Sequence, residues 1–325
     1  MKNPDLRQKL YQMFILGTDG DGWRDALKNN LGGIIFFTYD IKTPNQFQAL
    51  TKMCKDLCST PPFLSIDQEG GRVERTENIH KGKKYLSARF SAENGDAFIK
   101  KQTEEISAEL KDFGINMNFA PCCDVDTNPK NPIIGERSYS SNPKEVAHFA
   151  QIAAQIYREN KIIPCAKHFP GHGDADKDSH LTLPEISLDF ETYEKLHIAP
   201  FKQMIDNGIE TIMAAHLHVP YFEKEMIPTS LSFNALSYLR NELGFKGVIL
   251  SDDMIMKGVE AFGPVDACEM GIRAGINVFI YRNSSPQTIS IIENIYQKAL
   301  KDKDLAFRIQ EAYEKISDLK NKFLI

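Results

Sequence analysis

Ile163-Pro164-Cys165-Ala166-Lys167-His168 is an almost unbroken apolar run that stops on two ionisable side chains and leads into Phe169-Pro170-Gly171-His172-Gly173. A strand with one wet face would alternate apolar and polar residues. A continuous apolar run instead suits a parallel strand covered by helices. Three similar runs lie downstream: Thr211-Ile212-Met213-Ala214-Ala215-His216, Val248-Ile249-Leu250-Ser251-Asp252 and Val278-Phe279-Ile280-Tyr281. Four lie upstream: Gln12-Met13-Phe14-Ile15-Leu16, Gly33-Ile34-Ile35-Phe36-Phe37, Phe63-Leu64-Ser65-Ile66-Asp67 and Asn116-Met117-Asn118-Phe119-Ala120.

Each run is followed by a polar loop and then a helical pattern. The spacing predicts helices over 92–113 and 143–160, with apolar residues three and four apart, and two more over 286–300 and 305–322. Eight strand–helix alternations predict an α/β fold, a (β/α)8 barrel of the TIM type, although a doubly wound open sheet has a similar rhythm. No repeat, low-complexity tract or linker divides the chain. Residues 1–325 are therefore read as one catalytic domain, with roughly 10–285 as the barrel and 286–325 as terminal helices packed outside.

The composition narrows the function. With 42% hydrophobic residues the chain can build a sizeable core, and its net charge of −5 argues against a nucleic-acid surface. No stretch approaches the roughly 18 consecutive apolar residues of a membrane span. The first residues, Met1 to Lys9, have no apolar export segment, so a cytoplasmic setting is expected. Cys54, Cys58, Cys122, Cys123, Cys165 and Cys268 lack the paired spacing of a zinc site and read as buried thiols.

The polar residues gather where the runs end. Asp67, Lys167-His168, His216 and Ser251-Asp252-Asp253 close four of them, and Asp124 and Asp126 follow a fifth. One such end is ordinarily a loop cap. Five in register point to the C-terminal rim, where barrel enzymes keep their reactive groups.

The segment from Lys167 to His180 is the richest, with three histidines and three aspartates after the strand. Two metal readings are weak, one on residue type and one on spacing. Asp174, Asp176, Asp178 and Glu185 fall at calcium-loop positions, but Ser179 stands where glycine is needed. His168, His172 and His180 match no helical zinc motif. Neither a metal nor another cofactor is expected. Nucleophile-elbow, phosphate-loop and dinucleotide motifs are also missing from the sequence. Carboxylate and histidine chemistry in a barrel mouth remains.

These residues resemble a known family. Lys167-His168-Phe169-Pro170-Gly171-His172-Gly173 with Asp178-Ser179-His180 and Leu183-Pro184 is similar to the signature of glycoside hydrolase family 3. Three further stretches follow the family's order: Asp67-Gln68-Glu69-Gly70-Gly71-Arg72-Val73, Gly135-Glu136-Arg137-Ser138-Tyr139 and Gly247-Val248-Ile249-Leu250-Ser251-Asp252-Asp253-Met254. Within the family the likeness is to bacterial β-N-acetylglucosaminidases of muropeptide recycling, over roughly residues 10–285. It implies Asp252 as nucleophile, His180 as general acid/base with Asp178 as its partner, and Asp67, Arg75, Arg137, Lys167 and His168 as sugar ligands. Arg72, Asp253, His172 and His216 would support them at most. The acidic Asp174-Ala175-Asp176 departs from the family loop and bears on substrate preference.

The implied chemistry is sound. Breaking a glycosidic bond develops positive charge at the anomeric carbon, which a carboxylate can trap, while the departing oxygen needs a proton. A histidine oriented by an aspartate can supply that proton near neutral pH. The expected partner is a small carbohydrate, an N-acetylglucosaminyl anhydro-muropeptide, with neither nucleic acid nor membrane involved. A β-glucosidase-like relative and a non-catalytic peptidoglycan sensor are the alternatives.

Overall fold

The apolar runs become eight strands of one closed parallel barrel, each hydrogen-bonded to the next and β8 to β1. In order they are β1 (Phe14–Asp19), β2 (Gly33–Phe36), β3 (Phe63–Ile66), β4 (Met117–Asn118), β5 (Ile163–Phe169), β6 (Thr211–Ala214), β7 (Val248–Asp253) and β8 (Val278–Asn283). The computed structural model describes residues 4–80, 83–175, 182–186 and 188–325. Strands β2 to β6 are buried along their whole length, as unbroken apolar runs require when helices cover the outside and side chains fill the inside. The pairing of β8 with β1 excludes the open-sheet alternative.

Helix starts follow local chemistry. Thr43-Pro44, Asn142-Pro143 and Ser285-Pro286 each place a capping oxygen before a proline at the first helical turn. The side chain takes an orphan amide, and proline has none to leave unpaired. The helices Pro143–Glu159 and Pro286–Ala299 match the spacing read from the sequence.

Two boundaries differ from expectation. The pattern over 92–113 is two helices, Ala88–Glu93 and Asp96–Asp112, divided at Asn94-Gly95, where Gly95 takes φ of 80°. The first run begins as strand at Phe14. Gln12 instead ends the helix Leu6–Gln12, and its side-chain amide donates to Asn30 O at 2.6 Å.

The last two helices both lie outside the strands but do different things. Pro286–Ala299 follows β8 as the eighth outer helix. Lys303–Phe323 runs beneath the N-terminal ends of the strands. Its Lys320 donates to Gly32 O just before β2, Lys315 to Lys246 O just before β7, and Lys322 to Glu210 just before β6. One mouth of the barrel is thus braced by helix. The other, at the C-terminal ends, carries the site.

Candidate active site

Strand ends and the loops that follow them bring six of the eight expected residues to one place. Asp67, Arg75, Arg137, Lys167, His168 and Asp252 line a single cavity of about 240 Å³ at the C-terminal mouth. His172, Asp253 and Arg282 complete its polar wall; Phe37, Phe119 and Met256 are among its apolar neighbours. The remaining two expected residues, Asp178 and His180, lie outside the described residues. Arg72 is not in the wall: its guanidinium donates to the carbonyls of Pro132 and Ile133 and braces the loop that leads to Arg137.

The cations are fixed by carboxylates. Lys167, at the end of β5, is 2% exposed, with Nζ 2.7 Å from Asp67 Oδ1 and 2.6 Å from Glu69 Oε1. Arg137 grips Glu69 by two bonds, Nε to Oε2 at 3.0 Å and Nη2 to Oε1 at 2.8 Å. Burial disfavours each of these charges, but the partners outweigh it. Lys167 and Arg137 are held above their ordinary pKa values, and Glu69 well below the usual carboxylate range. Arg75 is positioned through its backbone, whose N–H donates to Gln68 Oε1 at 2.8 Å.

His168 is oriented from behind. Its Nδ1 lies 2.7 Å from Asp124 Oδ2, and the other Asp124 oxygen accepts the His172 amide at 2.6 Å. On the far side of the ring, Arg137 Nη2 is 3.4 Å from Nε2. A guanidinium only donates, so in the neutral ring the arrangement favours Nε2 as acceptor and Nδ1 as the donor toward Asp124. Asp124 is fully buried. Burial alone would raise its pKa, yet His168, His172 and their bonds hold it well below the usual range.

Asp252 sits near the end of β7, with the Asp253 amide donating to its Oδ1 at 2.7 Å. Burial opposes its charge, but His168, His216, that amide and Lys167 together lower its pKa below the ordinary value. The carboxylate is therefore ionised and unprotonated at neutral pH. Its neighbour Asp253 is engaged by Arg282. His216 lies beneath, fully buried, bonded to Ser230 Oγ at 2.7 Å and to Asp253 O at 3.1 Å. Burial lowers the pKa of His172 to about 4, so that ring is neutral in the cavity wall.

The loop after β5 leaves this wall by a close backbone passage. A Cβ on Gly173 would meet Val125 O at 1.7 Å, so only glycine fits there. Asn131 ties the same place down, donating to His172 O at 2.8 Å and Gly173 O at 3.1 Å. Asp178 and His180 follow five and seven residues later in sequence.

Among the described residues Cys122, Asp124 and His168 offer ligand atoms within 4.8 Å of one another. Their chemistry is that of a hydrogen-bond cluster. Cys122 Sγ donates to Asp124 at 3.2 Å, and burial pushes its thiol well up, away from the thiolate a metal needs. Of the calcium-loop residues, Asp174 accepts from Thr127 Oγ1 at 3.2 Å, while Asp176 and Asp178 are outside the described residues.

The profile of the family described as "Glycosyl hydrolase family 3 N terminal domain" matches residues 5–319. The chain belongs to glycosyl hydrolase family 3. Within that family, the Beta-hexosaminidase A of Pseudoalteromonas piscicida is 32% identical over 77% of this chain and 45% of its own length. The Beta-hexosaminidase of Nitrosomonas eutropha is 30% identical over 82% of this chain and 77% of its own. A solved structure, a family 3 β-N-acetylglucosaminidase from Paenibacillus sp. str. FPU-7, superposes with a TM-score of 0.90 at 30% identity, covering 98% of this chain and 63% of that one. The chain thus spans less than two thirds of the Pseudoalteromonas and Paenibacillus relatives. Two residues that hold the cavity wall from behind, Glu69 and Asp124, have no role assigned to them by the sequence: Glu69 appears there only beside Asp67, and Asp124 only among the polar groups that follow the apolar runs.

Proposed function

We propose that the chain is a retaining exo-β-N-acetylglucosaminidase that removes terminal β-linked N-acetylglucosamine through a covalent glycosyl-enzyme. The observation that carries this is the position of Asp252: an ionised carboxylate in the wall of a cavity that also holds Asp67, Arg75, Arg137, Lys167 and His168. The names of the relatives favour the amino sugar over glucose. A peptidoglycan fragment as substrate and a cytoplasmic setting rest on the sequence resemblance.

In the first step an Asp252 oxygen attacks the anomeric carbon. The bond from that carbon to the leaving oxygen breaks, and His180 gives that oxygen a proton. In the second step His180 takes a proton from water as the water oxygen displaces Asp252. Two inversions retain the β configuration. Asp178 orients the His180 ring and stabilises its charged form. Asp252, ionised at neutral pH, suits the nucleophile's part and not the donor's.

Arg75, Arg137, Lys167 and Asp67 bind the sugar by donors and acceptors not spent in the bonds above, and His168 does so by exchanging its long 3.4 Å contact with Arg137 for one to the sugar. An acetamido oxygen left without a donor would cost about 1–3 kcal/mol, which is the basis for selectivity. The deciding comparison is turnover of nitrophenyl β-N-acetylglucosaminide against the β-glucoside. Faster hydrolysis of the glucoside would replace this reading with the glucosidase one, and turnover of neither would favour a sugar-binding protein.

A further inference from the structure

The turn after β2 presents an aromatic pair that the sugar contacts above do not use. Phe37 lines the cavity. Tyr39 stacks on it, with ring centroids 5.5 Å apart and planes 13° apart, yet is 52% exposed. A single exposed tyrosine is unremarkable, but this one stands on a braced turn. Asp40 is buried, accepts the Phe37 amide at 2.8 Å and takes the Thr18 hydroxyl on its other oxygen. Gln46 Nε2 donates to Asp40 O at 3.0 Å, and the Thr38 hydroxyl reaches Glu77 at 3.2 Å.

Guanidinium groups flank the stack. That of Arg75 lies 5.8 Å from the centre of the Phe37 ring. Arg282 lines the same cavity with its side chain 46% exposed, and its charge bears on the Tyr39 phenol. In the same cavity the side chains of Lys167 and Asp67 are 2% and 19% exposed, against 46% for Arg282, so they lie deeper. A sugar seated there must send the rest of its substrate outward past this rim.

We propose that Phe37 and Tyr39, with Arg282 beside them, form the subsite for a second sugar on the leaving-group side of the bond. This rests on the glycosidase reading above and extends it to the class of leaving group. The C–H face of a pyranose is apolar and packs on an aromatic face, while its hydroxyls project edgewise toward guanidinium donors. A platform already rigid before binding loses little freedom when the sugar arrives.

The test compares N,N′-diacetylchitobiose with methyl β-N-acetylglucosaminide, whose leaving group is too small to reach the stack. Tyr39→Ala should lower kcat/KM for the disaccharide about five- to twentyfold, mainly through KM. It should leave the methyl glycoside within about twofold. Tyr39→Phe, which keeps the ring, should stay close to wild type on both. An equal fall on both substrates, or no change on either, overturns the subsite. If the wild-type protein cleaves neither compound, the glycosidase reading has failed, and calorimetry then decides the subsite. Wild type should bind the disaccharide more tightly than N-acetylglucosamine, and Tyr39→Ala should erase the difference. Equal wild-type affinities would overturn the proposal.

Discussion

Glu69 joins Arg137 through two near-parallel bonds, of 3.0 and 2.8 Å, while one of the same oxygens accepts Lys167 at 2.6 Å. Segments after β3, between β4 and β5, and within β5 are therefore held by one buried carboxylate. A cation pair this close would repel without it. The geometry of this side of the cavity thus depends on a residue placed behind the two cations.

Glu69→Gln tests that dependence. The amide keeps the shape but leaves two buried cations short of charge, and breaking a buried pair typically costs about 3–5 kcal/mol. Urea unfolding should show a loss of that order. In the surviving folded protein kcat/KM on nitrophenyl β-N-acetylglucosaminide should fall by about tenfold or more. A variant with wild-type stability and KM would show that the pair does not organise the site.

Asp124→Asn addresses the His168 ring. An amide nitrogen facing Nδ1 would favour the tautomer with its proton on Nε2, against Arg137. Losing an orienting partner of this kind typically costs about 10–100-fold in the function it supports. Nitrogen NMR of labelled histidine should show the Nδ1–H form of His168 in the wild type and its loss in the variant. An Nε2–H form in the wild type would remove the physical basis for this assignment.

Much of this site was readable where side chains follow strand periodicity. Asp67, Lys167, His168 and Asp252 terminate apolar runs, so finding the runs located them on one rim. Arg75 and Arg137 sit on loops with no period, and only the family likeness pointed to them. Glu69 and Asp124 were harder to assign because their partners are distant in sequence: Glu69 meets Arg137 across 68 positions and Asp124 meets His168 across 44. The break at Gly95 escaped the helical reading because the apolar spacing continues across it. Gln12 reads as strand in the sequence because the helix before β1 abuts that strand without a loop.

The underside of the barrel gives a stability prediction. Lys320 is buried, donates to Gln12 Oε1 at 2.8 Å and Gly32 O at 2.9 Å, and burial lowers its pKa to about 7. Below pH 7 both folded and unfolded states carry the proton, and the folded state bears the full cost of the buried charge. Between pH 7 and about 10.4 the unfolded chain binds more protons, so stability attributable to this group rises with pH. Lys320→Met lacks that rise. Between pH 6.5 and 9 the wild type should gain roughly 2–3 kcal/mol on the variant in urea unfolding. A stability difference independent of pH would mean that Lys320 titrates normally.

Asp252 and His180 can be told apart by leaving group. A nucleophile is needed for every substrate, whereas an acid matters only when the departing oxygen needs a proton. Asp252→Ala should therefore lose activity on all glycosides, dinitrophenyl ones included. His180→Ala should lose substrates with poor leaving groups by about 10²–10⁴-fold, yet still form the glycosyl-enzyme from dinitrophenyl substrates. Its second step lacks a base and should be slow. Azide attacks without deprotonation, so it should accelerate that step and give the β-glycosyl azide, two inversions having occurred. Asp178→Ala should behave as a milder form of His180→Ala, because it removes the orienting carboxylate and leaves the proton donor. Steady-state rates on a series of aryl leaving groups, with product anomers read by NMR, check all three variants. Equal slowing of good and poor leaving groups in His180→Ala would exclude it as the acid, and an α-azide product would exclude Asp252 as a covalent nucleophile.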